Sequence, residues 1–244
     1  MASYDSTTAS DAGESPRARS AQRLDRRFEM FEALLLALAV VLTAWAAFQS
    51  TKWSGVQANS YSMASASRIE STRASTRAGQ LTVIDVDTFI AWVDAISAEE
   101  RTGQPNGLAS DGTYTPQPGT ESGFFYLRFR DEFKPAIDAW LAERPLSNPN
   151  APRTPFATSE YSLADEERAD ELEQEAESFA AEAREANQNG DNYVLMTILF
   201  AAVLFFAGIS SKMDAFRPRF TLLGCAVVLL TVAIVVVVSF PKEI

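Results

Sequence analysis

The sequence contains no histidine and only one cysteine, Cys225. The first absence removes the commonest metal ligand and the commonest general base near neutral pH. The second excludes an intrachain disulfide, so any exported part must hold together by packing alone. Basic residues are also in short supply, 21 against 32 acidic ones, for a formal charge of −11. That balance argues against nucleic acid, whose phosphates need clustered cations. No nucleotide-binding loop, nucleophile elbow or zinc-ligand spacing occurs, and the expectation is that the chain is not an enzyme.

What the sequence does have is three apolar blocks. The first, within residues 30–50, follows the most basic cluster of the chain, Arg17, Arg19, Arg23, Arg26 and Arg27. The second starts at Tyr193 and the third covers Phe220 to Phe240, both free of charged side chains and near the length that crosses about 30 Å of hydrocarbon. Ala44-Trp45-Ala46 resembles a signal-peptidase site, but helical pattern runs straight through it, so the first block reads as an uncleaved anchor. Between the second and third blocks lie Lys212, Arg217 and Arg219 against Asp214. Short basic loops stay inside.

The organisation expected is therefore an all-α membrane protein of the bacterial plasma membrane, with its N-terminus cytoplasmic. Residues 1–28 form a disordered cytoplasmic segment, since 1–22 are rich in Ser, Thr, Asp and Ala. Transmembrane helices occupy 30–50, 192–210 and 220–240, with a cytoplasmic loop at 211–219 and an extracytoplasmic tail at 241–244. Residues 51–191, with 24 acidic and 12 basic side chains, lie outside as an antiparallel helical stalk and a small helical cap.

Two patterns define the stalk. Ala46, Ser50, Ser54, Ala58 and Ser62 recur every fourth residue, which predicts a small-residue face for close helix packing. Ala169, Leu172, Ala176, Phe179, Ala183, Ala186, Gly190 and Tyr193 alternate steps of three and four, a heptad seam of coiled-coil type. Gly190 is its weak link, and Ser162-x-x-Asp165 is its expected N-cap. Equal rise along two antiparallel helices pairs positions whose numbers sum to about 242. That sets Arg68, Arg73 and Arg77 beside the acidic run 165–177.

For the cap, Val86, Phe89, Val93 and Ile96 make one helical stripe, with a kink allowed at Gly79. Phe125, Phe129, Phe133, Ile137 and Leu141 make another over 121–144, which Pro135 should bend or divide. The acidic run reads as a solvated helix face rather than a calcium loop, which would need a turning backbone with glycine. The aromatic group Phe124, Phe125, Tyr126, Phe129, Phe133 and Trp140 reads as a core rather than a ligand cleft. Glu32 is taken as a carboxylate at the headgroups. No catalytic, cofactor-binding or metal-binding residue is nominated, and no cofactor is expected. The partners expected are the lipid bilayer and either further copies of the chain or other membrane proteins.

In TAWAAFQSTKWSGVQANSY (43–61), FRDEFKPAIDAWLAERPLSNPNAP (129–152) and DNYVLMTILFAAVLFFAGIS (191–210) the chain resembles uncharacterised bacterial integral membrane proteins. Those have one N-terminal span, a long helical extramembrane segment and two C-terminal spans. The resemblance implies architecture and no activity. Two functional classes follow: a membrane scaffold or sensor-like interaction protein, or a subunit of an oligomeric channel or transport accessory. In the second, Thr43, Thr197 and backbone groups would line a pore made by assembly.

Overall fold

The computed structural model describes residues 16–145, 147–213 and 215–243, with side chains from Arg26 onward. Its elements are α1 (Pro16–Thr102), α2 (Glu121–Tyr126), α3 (Lys134–Ala142), a 3₁₀ turn (Pro155–Ala157), α4 (Ala164–Ser210) and α5 (Phe216–Ser239). Among the described residues there is no strand; Leu108 and Tyr114 form one isolated bridge. Proline placement accounts for the two long helices. All 11 prolines fall outside the interiors of α1 and α4. Pro16, Pro135 and Pro218 sit in first turns, where the missing N–H has no intrahelical partner to lose. α1 ends at Gly103, whose φ of 68° suits a glycine. There the Gln104 N–H donates to the Glu99 carbonyl at 2.9 Å, closing the last turn.

Three of the helices, α1, α4 and α5, are long and apolar enough to cross a membrane. The chain divides into two compact units, residues 1–59 with 182–244, and residues 60–181. The first unit is built from the apolar parts of these three helices. Its core joins Leu35, Ala39 and Ala46 of α1, Tyr193, Phe200, Val203 and Ala207 of α4, and Leu223, Ala226, Leu230, Ala233 and Val237 of α5. On α4 and α5 the buried positions follow steps of three and four, as an apolar stripe on a helix requires. Gly190 does not break α4. A Cβ built there would lie 3.7 Å from Trp53 Cβ and 3.8 Å from the Ser50 carbonyl oxygen, so the backbones of α1 and α4 run close. Across the same pair the Gln57 amide donates to Asn187 at 2.8 Å.

In the second unit α1 and α4 are antiparallel. Ser71 donates to the Ala169 carbonyl at 2.9 Å, Arg77 pairs with Asp165 at 3.1 Å, and Arg68 with Glu177 at 3.3 Å. The paired numbers sum to between 240 and 245, beside the expected 242. Arg73 departs from that scheme and pairs with Glu70 on its own helix. The buried face of α4 here is Ala169, Leu172, Ala176 and Ala180, with Phe179 half-buried. An aromatic core joins Trp92 and Ile96 of α1 to Phe129, Phe133, Ala136, Ile137 and Trp140. Phe133 and Phe156 stack within it, their centroids 5.1 Å apart.

Several expectations are corrected. Disorder over residues 1–28 gives way to helix from Pro16 on; residues 1–15 lie outside the described residues. From 17 to 28 the segment has five Arg, two Ala, one Leu and one Gln, nine good helix formers in all. The every-fourth spine is the packed face of α1 only at its start, where Ala46 is buried and Ser50 half-buried. Ser54, Ala58 and Ser62 are exposed, while Ser60, Ala64, Ser67, Ser71 and Ala78 are buried. Four residues turn a helix by about 400°, so each such step drifts about 40° off the face. Through Gly79, where a kink is allowed, α1 continues as helix. The helix expected over 121–144 is divided, but the break covers 127–133 and Pro135 opens the second piece. Ser162 does not cap α4 from Asp165; its hydroxyl donates to Glu167 at 2.7 Å.

Two substitutions test this packing. Gly190→Ala should be tolerated and raise thermal stability by up to about 1 kcal/mol, because its Cβ meets ordinary contact distances while helix propensity improves. Phe133→Ala, at a fully buried position, should cost roughly 3–5 kcal/mol, read as lost protease resistance of residues 60–181.

Candidate functional site

Buried polar groups mark where a fold commits its chemistry, and each has to find a partner. In the unit 60–181 the most enclosed is Asp85, fully buried on α1. Arg130, in the segment between α2 and α3, approaches it side-on. Nε donates to Oδ1 at 2.9 Å and Nη2 to Oδ2 at 3.0 Å. The Tyr161 hydroxyl lies 3.2 Å from both Asp85 Oδ2 and Thr82 Oγ1. The third guanidinium nitrogen, Nη1, donates to Glu132 at 2.7 Å. Hydrogen bonding to Asp85 above all holds the Arg130 pKa above its ordinary value, and burial raises that of Tyr161.

A second cluster lies nearer the end of α1. Glu99 accepts from the Ser122 backbone N–H at 3.0 Å and from the Ser122 hydroxyl at 2.6 Å. Tyr114 donates to the same hydroxyl at 3.2 Å. Glu99 thus meets the exposed amides at the start of α2, where a carboxylate is favoured, while Thr120 caps the Gly123 N–H at 3.1 Å. Asp85 accepts three hydrogen bonds and Glu99 two, all from groups of the protein itself. Their chemistry is that of clasps, holding the segment 103–133 to α1.

Beside them is a cavity of about 140 Å³ lined by Trp92, Ile96, Leu108, Trp140, Leu141 and Pro145, with Ser97 and Glu100 also in its wall. The Trp140 indole donates to the Pro152 carbonyl at 2.8 Å, while the Trp92 indole nitrogen is buried without a hydrogen-bond partner. Of the aromatic group read as core, Phe129, Phe133 and Trp140 are buried, Phe125 and Tyr126 are half-buried, and Phe124 is exposed. Val93, expected on the core stripe, is exposed as well, and Trp92 takes that place.

The unit of residues 1–59 and 182–244 keeps its polar contacts at two ends. At one, Glu32 is buried and takes both Nε and Nη2 of Arg219, at 3.2 and 3.0 Å, with Ser210 donating at 3.0 Å. Glu32, expected as a lone carboxylate, is not alone: Arg219 provides the partner that makes its burial affordable. At the other, the Gln49 amide brackets the Glu243 backbone, donating to its carbonyl at 3.1 Å and accepting from its N–H at 3.0 Å. Tyr193 donates to the Pro241 carbonyl at 2.9 Å. Thr43 and Thr197 turn their hydroxyls back onto the carbonyls of Ala39 and Val194.

The acidic run 165–177 lies along the exposed face of α4, apart from a half-buried Asp165. Among the described residues no three acidic or cysteine side chains converge as a metal site would require. Sequence reasoning missed both clasps, since Asp85 and Arg130 are 45 positions apart and nothing local joins them. No protein-family model, curated protein or solved structure matches the chain.

The Asp85–Arg130 clasp has a measurable signature. Arg130→Met should destabilise the unit by about 3–5 kcal/mol, since it strands a fully buried carboxylate. Asp85→Leu combined with Arg130→Met should cost less than Arg130→Met alone. Additive losses in urea titrations would show that the two side chains are not coupled.

Proposed function

We propose that this chain is an integral membrane scaffold or sensor-like interaction protein, which presents an acidic helical domain outside the cytoplasm. The observation that carries this reading is the composition of the span unit's interior. Between the Glu32–Arg219 pair at one end and the Gln49–Glu243 contact at the other, its packed residues are aliphatic and aromatic. Transport and voltage sensing use polar or charged groups within a span. A pore formed by assembly would need polar outer faces. Thr43, Thr197, Thr221 and Thr231 each donate their hydroxyls to a carbonyl of their own helix.

The other unit carries the features suited to contact. Residues 60–181 hold 21 acidic and 10 basic side chains, a cavity walled by two tryptophans, and loops clasped to a helix by buried polar pairs. The orientation proposed follows from charge. Arg26, Arg27, Lys212 and Arg217 are exposed at the segments that flank the spans and favour the cytoplasmic side. The resemblance to bacterial membrane proteins supports the plasma membrane as the location.

Single cysteines in a Cys225→Ser background test the orientation. Ser110→Cys should react with a membrane-impermeant maleimide in intact cells or spheroplasts, and Lys212→Cys only after permeabilisation. The opposite labelling would invert the topology and place the acidic unit in the cytoplasm.

A further inference from the structure

At the end of the span unit that carries Arg27, α1 and α5 leave a groove. It has a volume of about 640 Å³ and is lined by Phe28 and Phe31 of α1 and by Phe220, Leu223, Gly224, Val227 and Val228 of α5. Its walls are preformed: Phe28 meets Phe220 edge to face at 6.1 Å, and Phe216 stacks on Phe220 at 5.9 Å. A side chain at Gly224 would meet open space, with nothing within 4 Å of a Cβ placed there. Arg27 is the one charged residue in the lining.

The charges around this end are unbalanced. Glu32 is taken up by Arg219, which leaves Arg26, Arg27, Lys212 and Arg217 against Glu29 among the described residues, and the sequence adds Asp214 to the acidic side. Apolar surface of this length with a guanidinium at its rim matches a molecule that has a hydrocarbon chain and an anionic head. Guanidinium groups bind phosphate through paired N–H donors, and basic pockets between spans are sites for anionic headgroups. A parallel helix from a second copy would bring exposed Glu29 to this level only together with its own Arg26 and Arg27, so the charge it offers Arg27 would be net positive. We propose that the groove is a site for an anionic phospholipid, whose acyl chain lies along Phe28, Phe220 and Gly224 and whose phosphate is held by Arg27.

The proposal rests on reading α1, α4 and α5 as membrane spans, and the two can fail separately. A chain released from membranes by alkaline carbonate would sink the span reading, and the lipid site with it. The site itself is tested on the full chain in mild detergent by native mass spectrometry, with equal amounts of phosphatidylglycerol and phosphatidylcholine of identical acyl chains. One bound lipid is expected, with phosphatidylglycerol preferred about fivefold, the worth of one basic side chain at an anionic surface. Arg27→Gln should bring that ratio close to one without affecting the fold, because its side chain is exposed. Gly224→Phe should deplete both lipids by filling the groove. Equal binding of the two lipids, a preference that survives Arg27→Gln, or lipid retention unchanged by Gly224→Phe would each overturn the proposal. A dimer that Gly224→Phe splits would instead assign the groove to a second copy.

Discussion

The close approach of α1 and α4 is the constraint on which the other contacts depend. In the span unit a Cβ at position 190 would already be in ordinary contact with the Trp53 side chain and the Ser50 carbonyl, so the two backbones leave room for little more than alanine. In the unit 60–181 the Ser71 hydroxyl reaches a backbone carbonyl on the opposite helix. A side chain as short as serine can make that bond only when the two backbones are close. The buried face of α4 provides for this with Ala169, Ala176, Ala180, Ala183 and Ala186. Small residues gain little from the hydrophobic effect, so such a seam is held by dense van der Waals contact and by hydrogen bonds across it. Larger side chains would bury more apolar area yet separate the backbones and strand the serines.

Polar groups then sit where that packing leaves them a partner. A buried carboxylate–guanidinium pair contributes little net stability over an apolar pair of the same shape, because desolvation of both ions opposes their attraction. Its value is discrimination: Asp85 accepts both donors of Arg130 only when the segment before α3 is docked in one way. Glu32 and Arg219 discriminate similarly among ways of pairing α5 with α1. Apolar helices have many near-equivalent sliding arrangements, and one ion pair at the end separates them. Gln49 does for the chain's last residues what the ion pairs do for the helices. Its amide presents a donor and an acceptor to one residue's backbone, as a neighbouring strand would.

The helices and the α4 seam were legible because both are periodic signals, repeated over several turns and hard to produce by chance. The α1 face was not, although its small residues were noticed. Serine and alanine are so frequent from residue 50 to 80 that spacings of four and of seven both occur, and only the partner helix selects between them. Trp92 was passed over for a similar reason. The stripe through Phe89, Val93 and Ile96 is valid on α1 itself, but a helix with apolar residues at 89, 90, 92, 93 and 96 offers two overlapping stripes. The aromatic rings of Tyr114, Phe129 and Trp140 decide which one is covered. The ion pairs were illegible in principle: each joins residues whose proximity is a product of the fold, and either partner alone looks like any surface charge.

The acidic face of α4 is different, since the fold accounts for only part of it. Asp165, Glu166 and Glu167 stand in the first turn, where negative charge is favoured by the helix dipole. Asp165 and Glu177 also meet Arg77 and Arg68. Against these stand the like-charge neighbours one turn apart, Glu166 with Asp170, Glu167 with Glu171, Glu171 with Glu175 and Glu173 with Glu177. Each such pair destabilises a helix by about 0.2–0.5 kcal/mol, and neutral polar residues would make a steadier helix around the same alanine seam. The contacts within the molecule therefore explain only part of the run's charge, and the alanine seam does not require the rest. An exposed carboxylate face of this density attracts cationic surfaces, speeds their encounter and repels anionic membrane.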